Sequence, residues 1–155
     1  MESRGVGRTP TLIEILKHPV LSPQFHDFLR KRHCWENVSF WEEAEDYRSI
    51  EEEAVLKLRA RSMWCTYFCK NATMELNVDN NIKKKIENNL KSPNATLFDE
   101  AQQAIFQLMD ESCYQGFLQD GKKILGLYFQ MDSESNAIVS NHSTIITIFT
   151  YSTRN

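Results

Sequence analysis

The chain has 155 residues, 41% of them hydrophobic and 11% aromatic, enough for one domain with a buried core and too apolar for a disordered segment. Five glycines and four prolines argue against a loop-built or fibrous protein. A formal net charge of −3 supplies no basic field for nucleic acid or an anionic membrane, and no run approaches the ~20 apolar residues of a spanning helix.

Residues 1 to 10 read as a flexible arm: the first eight are small and polar, without the apolar core of a signal peptide. Thr11-Leu12-Ile13-Glu14 has the form of a capping box opening a short helix through Leu16, which His18-Pro19 ends. Ser22-Pro23 then reads as a restart, with Ser as cap and Pro at the first helical position. Phe25, Phe28 and Leu29 make the apolar stripe of that helix, and Lys31-Arg32 lie near its negative end.

After the joint His33-Cys34-Trp35-Glu36-Asn37, a longer helix is expected from about Glu36 to Ile50. Val38, Trp41, Ala44 and Tyr47 recur every three residues with Phe40 beside them. Glu42, Glu43, Glu45 and Asp46 fall mostly on the other face, which reads as solvated. A second long helix is expected over Glu51 to Cys69. Its stripe runs Ala54, Val55, Leu58, then Ala60, Met63, Trp64, Tyr67 and Phe68, with the aromatics as core.

The polar link Asn71 to Asp79 follows, with Thr73, Glu75 and Asn77 free to meet a partner. Asp79 is placed to cap the next helix, whose Ile82, Ile86 and Leu90 are spaced by four; Lys83-Lys84-Lys85 read as its wet side. Lys91 to Asn94 is a turn. Thr96 reads as the start of another helix, with Phe98, Ala101, Gln102, Ile105 and Leu108 along one side. Asp110-Glu111-Ser112 interrupts it, and Tyr114, Phe117 and Leu118 continue the pattern around Gly116.

Ile124 to Phe129 either docks on the body or forms a truncated last helix. Residues 131–155 read as an irregular tail, in which Ser143 to Tyr151 has strand propensity, no charge and no proline. The sum is an all-α, non-solenoid bundle of seven to nine helices.

Catalytic signatures are absent: no Gly-rich phosphate loop, no His-Glu-x-x-His helix, no Gly-x-Ser-x-Gly turn. His33 beside Cys34 is adjacency in sequence, not a nucleophile–base geometry. The four cysteines, Cys34, Cys65, Cys69 and Cys113, lack the spacing of a zinc site and read as buried reduced thiols. No catalytic residue, metal or cofactor is expected, and the residues point to a helical interaction module.

Three ordered stretches carry a family resemblance over about Thr11 to Leu118. They are Glu36-Asn37-Val38-Ser39-Phe40-Trp41-Glu42-Glu43-Ala44-Glu45-Asp46-Tyr47, then Ala72-Thr73-Met74-Glu75-Leu76-Asn77-Val78, then Leu97-Phe98-Asp99-Glu100-Ala101-Gln102-Gln103-Ala104-Ile105-Phe106-Gln107-Leu108-Met109. With these the chain resembles an RGS domain, the regulator of G-protein signalling module, expected over residues 11–130. The resemblance implies about nine helices, a terminal subdomain made by both ends and a central four-helix bundle.

It also implies a partner, the Gα subunit of a heterotrimeric G protein in its GTP-hydrolysing state, and a role as GTPase activator rather than enzyme. The implied setting is the cytoplasm, at or near the inner face of the plasma membrane through peripheral recruitment. The implied contact surface comes from three joints: His33 to Asn37, Glu75 to Asn77, and Leu108 to Gly116. Asn77 matches the asparagine that reaches the Gα switch region. Glu36 and Asn37 match an acidic-amide pair, and Leu108 an apolar contact.

The third joint departs from the pattern. Ser112 stands where many active members carry an acidic residue, Cys113 where serine is common, and Gly116 where an arginine usually braces the surface. His33 and Cys34 also differ from a tyrosine-serine pair often found there. The alternative these departures imply is a scaffold of the same fold with weak or no GTPase-activating activity.

Overall fold

The computed structural model describes residues 8–121. Of the arm expected over 1–10, residues 1–7 lie outside the described residues, as do Ile124 to Phe129 and the strand-like 143–151; Pro10, at its end, is buried. The packing below is that of Pro10–Phe117, one compact unit; 8–9 and 118–121 fall to a second.

The capping box at Thr11 forms as expected. Its hydroxyl accepts from the Glu14 N–H at 3.4 Å, and its own N–H donates to the Glu14 carboxylate at 2.7 Å. The helix it opens, α1 (Leu12–Lys17), buries Leu12, Ile15 and Leu16. The next, α2 (Leu21–Lys31), starts in another way than the Ser22-Pro23 pair suggests. Ser22 lies inside the helix and its N–H donates to the His18 carbonyl at 3.0 Å. The orphan N–H groups of Val20 and Leu21 go instead to His18 Nδ1, at 3.1 and 3.2 Å. A ring nitrogen ahead of the helix does the capping, so the hydroxyl is not needed.

The central helices are α3 (Trp35–Arg48), α4 (Glu53–Tyr67), α5 (Asn80–Asn89) and α6 (Asp99–Met109). A single π-type turn, Asp110–Tyr114, joins α6 to α7 (Gln115–Asp120), so the polar interruption bends the helix path without ending it. Among the described residues these are seven α-helices and no strand, the all-α architecture expected. None of those helices is long and apolar enough to cross a membrane.

Helix α3 is the middle of the unit. It buries Val38, Phe40, Trp41, Ala44 and Tyr47, and packs on α2, α4 and α6. Packed on so many sides, it has no purely solvated acidic face. Glu42 pairs with His26 at 2.9 Å, and Glu45 accepts from Gln102 Nε2 at 2.8 Å and from Arg48 at 3.0 Å. Arg48 also reaches Asp99 at 2.9 Å and the Gln102 side-chain oxygen at 2.7 Å. Gln102 is buried, and its amide donates to the Trp41 carbonyl at 3.0 Å, so α6 is keyed to α3 by a satisfied polar network.

Phe40 is fully buried within three rings: Tyr67 at 5.3 Å, Phe68 at 5.2 Å and Phe98 at 6.1 Å, all edge-on. Tyr47 joins through Phe98 at 4.9 Å and donates its hydroxyl to the Asn94 carbonyl at 2.9 Å. Burial pushes the Tyr47 phenol up to about 12. Both ends of the unit form the terminal subdomain: Phe117 stands edge-on to Phe25 at 5.1 Å and Phe28 at 5.6 Å, and the Tyr114 hydroxyl donates to the Pro10 carbonyl at 2.7 Å.

Two other expectations change. Thr96 does not cap α6: the Asn94 carboxamide oxygen takes the Thr96 N–H at 3.1 Å and hydroxyl at 3.0 Å in a local turn, and α6 begins at Asp99. In α4 the first half of the stripe is out of phase. Leu56, Ala60, Met63 and Tyr67 are buried at spacings of four, three and four, whereas Val55 is 44% exposed and Leu58 72%. The α4 phase has a direct test. Leu56→Ala should destabilise by about 2–5 kcal/mol, and Leu58→Ser by less than about 0.5 kcal/mol, in urea unfolding. Equal costs would place the stripe where the sequence periodicity put it.

Candidate functional site

The first joint is a capped helix end. Residue His33 takes a left-handed conformation at φ 55°. Its N–H donates to the Arg30 carbonyl at 3.1 Å, and the Cys34 N–H donates to the Leu29 carbonyl, also at 3.1 Å. That pair of bonds is a Schellman closure, a position glycine usually fills and histidine adopts less readily. The turn sends the chain directly into α3, so Glu36 and Asn37 lie on its first turn. Glu36 is half-buried. Asn37 is buried, and its amide donates to the Cys34 carbonyl at 3.3 Å. The Arg30 guanidinium stacks 5.0 Å over the Trp35 ring, whose indole N–H is buried and has no hydrogen-bond partner.

The second joint is fastened at both ends. Asn71 turns the chain at φ 63°, a left-handed value asparagine tolerates. The Met74 N–H then donates to the Thr66 carbonyl, and the Leu76 N–H to the Tyr67 carbonyl, each at 3.0 Å, so the strand of loop lies along the end of α4. Leu76 is 1% exposed. Extended backbone alternates its sides, so Glu75 and Asn77, flanking this plug, are turned outward and exposed. At the far end Asp79 accepts the Asn81 N–H at 2.7 Å, the expected cap. Glu75 accepts from Lys83 at 3.2 Å, which removes Lys83 from the wet face the lysine run suggested. Asn77 is the outward amide with no such tie.

The third joint is the π-type turn and what flanks it. Leu108 is half-buried at the end of α6. Ser112 is exposed, but its hydroxyl turns back to donate to the Leu108 carbonyl. Cys113 is buried, with its sulfur 3.9 Å from that of Cys34. Burial, then the neighbouring Cys113, pushes the Cys34 thiol up to about 12. A Cβ on Gly116 would stand 3.2 Å from Phe28 Cζ and 3.4 Å from Arg32 Nη2. The Arg32 guanidinium lies 4.5 Å over the Phe28 ring and occupies the room beside the glycine. Sequence reading gave Arg32 only to the helix dipole. A side chain entering space that a glycine vacates 84 positions later (116 − 32) leaves no local sequence signal.

The first joint borders each of the other two. An open depression of about 440 Å³ is lined by Arg30, His33, Trp35 and Glu36 of the first joint and by Thr73 and Met74 of the second. Another of about 440 Å³ is lined by Arg32, Cys34 and Asn37 with Leu108, Ser112 and Cys113 of the third. Neither contains a nucleophile–base pair. Among the described residues no group of three His, Cys, Asp or Glu side chains could hold a metal. The expectation of buried thiols holds for Cys113 and fails for Cys65, which is exposed; the Cys69 thiol, half-exposed, donates to the Cys65 carbonyl at 3.1 Å.

Residues 11–122 match the family model described as the Regulator of G protein signaling domain. The chain belongs to the RGS family. It is similar to a protein named "Regulator of G-protein signaling 1" in three species. The horse protein (Equus caballus) is 29% identical over 128 residues, 83% of this chain and 63% of the relative. The human protein is 32% identical over 114 residues, 74% and 53% of the two chains. That of Xenopus tropicalis is 31% identical over 94 residues, 61% and 47%. The chain thus spans 47 to 63% of the length of these relatives.

The loop sets a buried and an exposed side chain at neighbouring positions. Leu76→Ala should cost about 2–5 kcal/mol in thermal or urea unfolding, while Asn77→Ala should stay within about 0.5 kcal/mol. A large loss of stability at Asn77 would mean that its amide supports the fold rather than facing outward.

Proposed function

We propose that this RGS domain is a GTPase activator for a Gα subunit of a heterotrimeric G protein. It binds the Gα switch segments in the geometry of GTP hydrolysis and so shortens the signal. The observation that supports this reading is that the first joint shares one depression with the second and another with the third, while the Asn77 amide is exposed beside a buried plug.

The chemistry asks for nothing catalytic from this chain. Gα carries its own arginine, metal and water-positioning glutamine. An activator accelerates the step only by binding the transition state more tightly than the GTP-bound ground state. A carboxamide suits contact with that glutamine and its water, since it donates and accepts without adding charge. Glu36, Asn37, Glu75, Leu108, Ser112, Cys113 and Gly116 frame the remaining contact, with Leu108 as its apolar part. This places the protein's action in the cytoplasm, at the inner face of membranes that carry G proteins.

A second reading, a scaffold of RGS fold with weak activity, draws on the third joint. The Ser112 hydroxyl is engaged with the Leu108 carbonyl, and Gly116 brings no side chain to brace the surface. At position 112 itself a serine, not a carboxylate, faces a Gα switch. Losing both members of an acid–arginine pair leaves no orphan charge, so the deficit is in affinity rather than in fold.

Single-turnover GTP hydrolysis across a panel of Gα subunits tests the first reading. Acceleration is expected with at least one of them, along with tighter binding in the presence of GDP and aluminium fluoride than with a GTP analogue. No acceleration and no such preference would leave the scaffold reading. Asn77→Ala should lower the acceleration roughly 10- to 100-fold, the worth of one hydrogen bond to a polarised group. An unaltered rate would remove Asn77 from the site.

Ser112→Asp with Gly116→Arg should raise the acceleration, once Arg32 yields its place over Phe28. A circular-dichroism melt establishes that the double variant is folded. A folded variant with the original rate would show that the third joint is not the weak point.

A further inference from the structure

We propose that Cys34 and Cys113 form a dithiol modification site, closed to an intramolecular disulfide by a low-molecular-weight disulfide such as oxidised glutathione, and that closure disables the partner-binding face. The loss of Gα binding rests on the function proposed above; the cross-link does not.

The two sulfurs stand 3.9 Å apart although 79 positions separate them in the chain. A disulfide bond is about 2.05 Å long, so each sulfur has to move about 1 Å. Both cysteines line the same open depression, so the disulfide of oxidised glutathione has an approach to them. Cys34 is the more exposed of the two and Cys113 is buried, which sets the order of events.

Cys34 loses its proton and its sulfur attacks one sulfur of oxidised glutathione. The glutathione disulfide bond breaks, and one glutathione leaves as a thiolate that takes up the proton. Cys113 then loses its proton and attacks the Cys34 sulfur of the mixed disulfide. The Cys34–glutathione bond breaks, and the second glutathione leaves and is protonated. Two cysteine thiols are oxidised by two electrons and one glutathione disulfide is reduced to two thiols. The desolvated Cys34 thiol makes the first step slow at neutral pH, so the site responds to a sustained change in redox poise rather than to a pulse.

The functional consequence follows from where the pair sits. Cys34 is in the Schellman turn that leads to Glu36 and Asn37, and Cys113 is in the π-type turn after Leu108. A bond between them draws the first joint onto the third and narrows the depression between Asn37, Leu108 and Ser112.

The experiment uses the full chain with Cys65→Ser and Cys69→Ser, which leaves this pair as its only thiols. The protein is incubated with oxidised glutathione, and intact mass and peptide maps are read without reduction. The expected product has lost two hydrogens, links the Cys34 and Cys113 peptides, and reverts with dithiothreitol. By loop closure it melts about 10 °C higher than the reduced form. Glutathione adducts without the cross-link, or disulfide-linked dimers, would overturn the site.

Gα acceleration is then compared for the same protein before and after oxidation and after re-reduction. Loss and recovery are expected; in Cys113→Ser in the same background, oxidation should stop at a Cys34–glutathione adduct, with no cross-link and no rise in melting temperature. A cross-linked protein that still accelerates fully would overturn the switch. Reduced protein inactive on every Gα would count against the function proposed above, and the cross-link would still be decided by mass and melting temperature.

Discussion

The three joints of the proposed binding face hang on the rings packed around Phe40. One helix supplies Phe40, the end of the next supplies Tyr67 and Phe68, and the residue before α6 supplies Phe98. Each of these elements runs into one of the three joints. The N-terminus of α3 is the first joint, the C-terminus of α4 holds the second through the Tyr67 carbonyl, and the C-terminus of α6 leads into the third. A rigid aromatic cluster in the core therefore sets the spacing of the three loops. Edge-on pairs of this kind add about 0.5–1.5 kcal/mol each beyond the area they bury, and they resist rotation.

The polar network behind the cluster does a different job. Gln102, Arg48, Glu45 and Asp99 tie α3 to α6 with every buried group satisfied. Its ion pairs are half exposed and contribute little singly. The buried Gln102 amide matters more, because sliding α6 along α3 by one turn would leave it unpaired in the core. Apolar packing alone tolerates such slips; the amide specifies the register, and with it the position of Leu108.

Much of this was legible in the sequence because it is local. The α3 stripe, the Thr11 box, the Asp79 cap and the outward Glu75 and Asn77 all depend on residues within a turn of one another. The failures share a cause. In two cases a local side-chain bond moved a helix start: His18 takes the Val20 and Leu21 N–H groups, so α2 begins ahead of Ser22, and Asn94 ties Thr96 into a turn, so α6 begins at Asp99. The stripe of α4 slipped because Val55 and Leu58 are apolar yet have no helix packed against them. The acidic face of α3 became half-buried because three helices surround it. Arg32 in the room beside Gly116, and Cys34 against Cys113, are meetings across about half of the chain that no spacing rule encodes.

The link from Asn71 to Asp79 shows how the fold turns local rules into a fixed, outward-facing loop, the element proposed to meet the partner. A free polar loop would lose about 1–2 kcal/mol per residue in backbone entropy when a partner ordered it. Here that ordering is done in the folding step. Asn71 sets the turn, two backbone bonds lay the chain on α4, Leu76 plugs the core and Asp79 anchors the far end. The Glu75–Lys83 pair is a surface contact, with side chains 50% and 20% exposed, and is too weak to hold the loop by itself. The burial of Leu76 holds it. A partner meeting Asn77 meets an amide on a backbone already fixed, so most of the interaction is available to discriminate between its conformations.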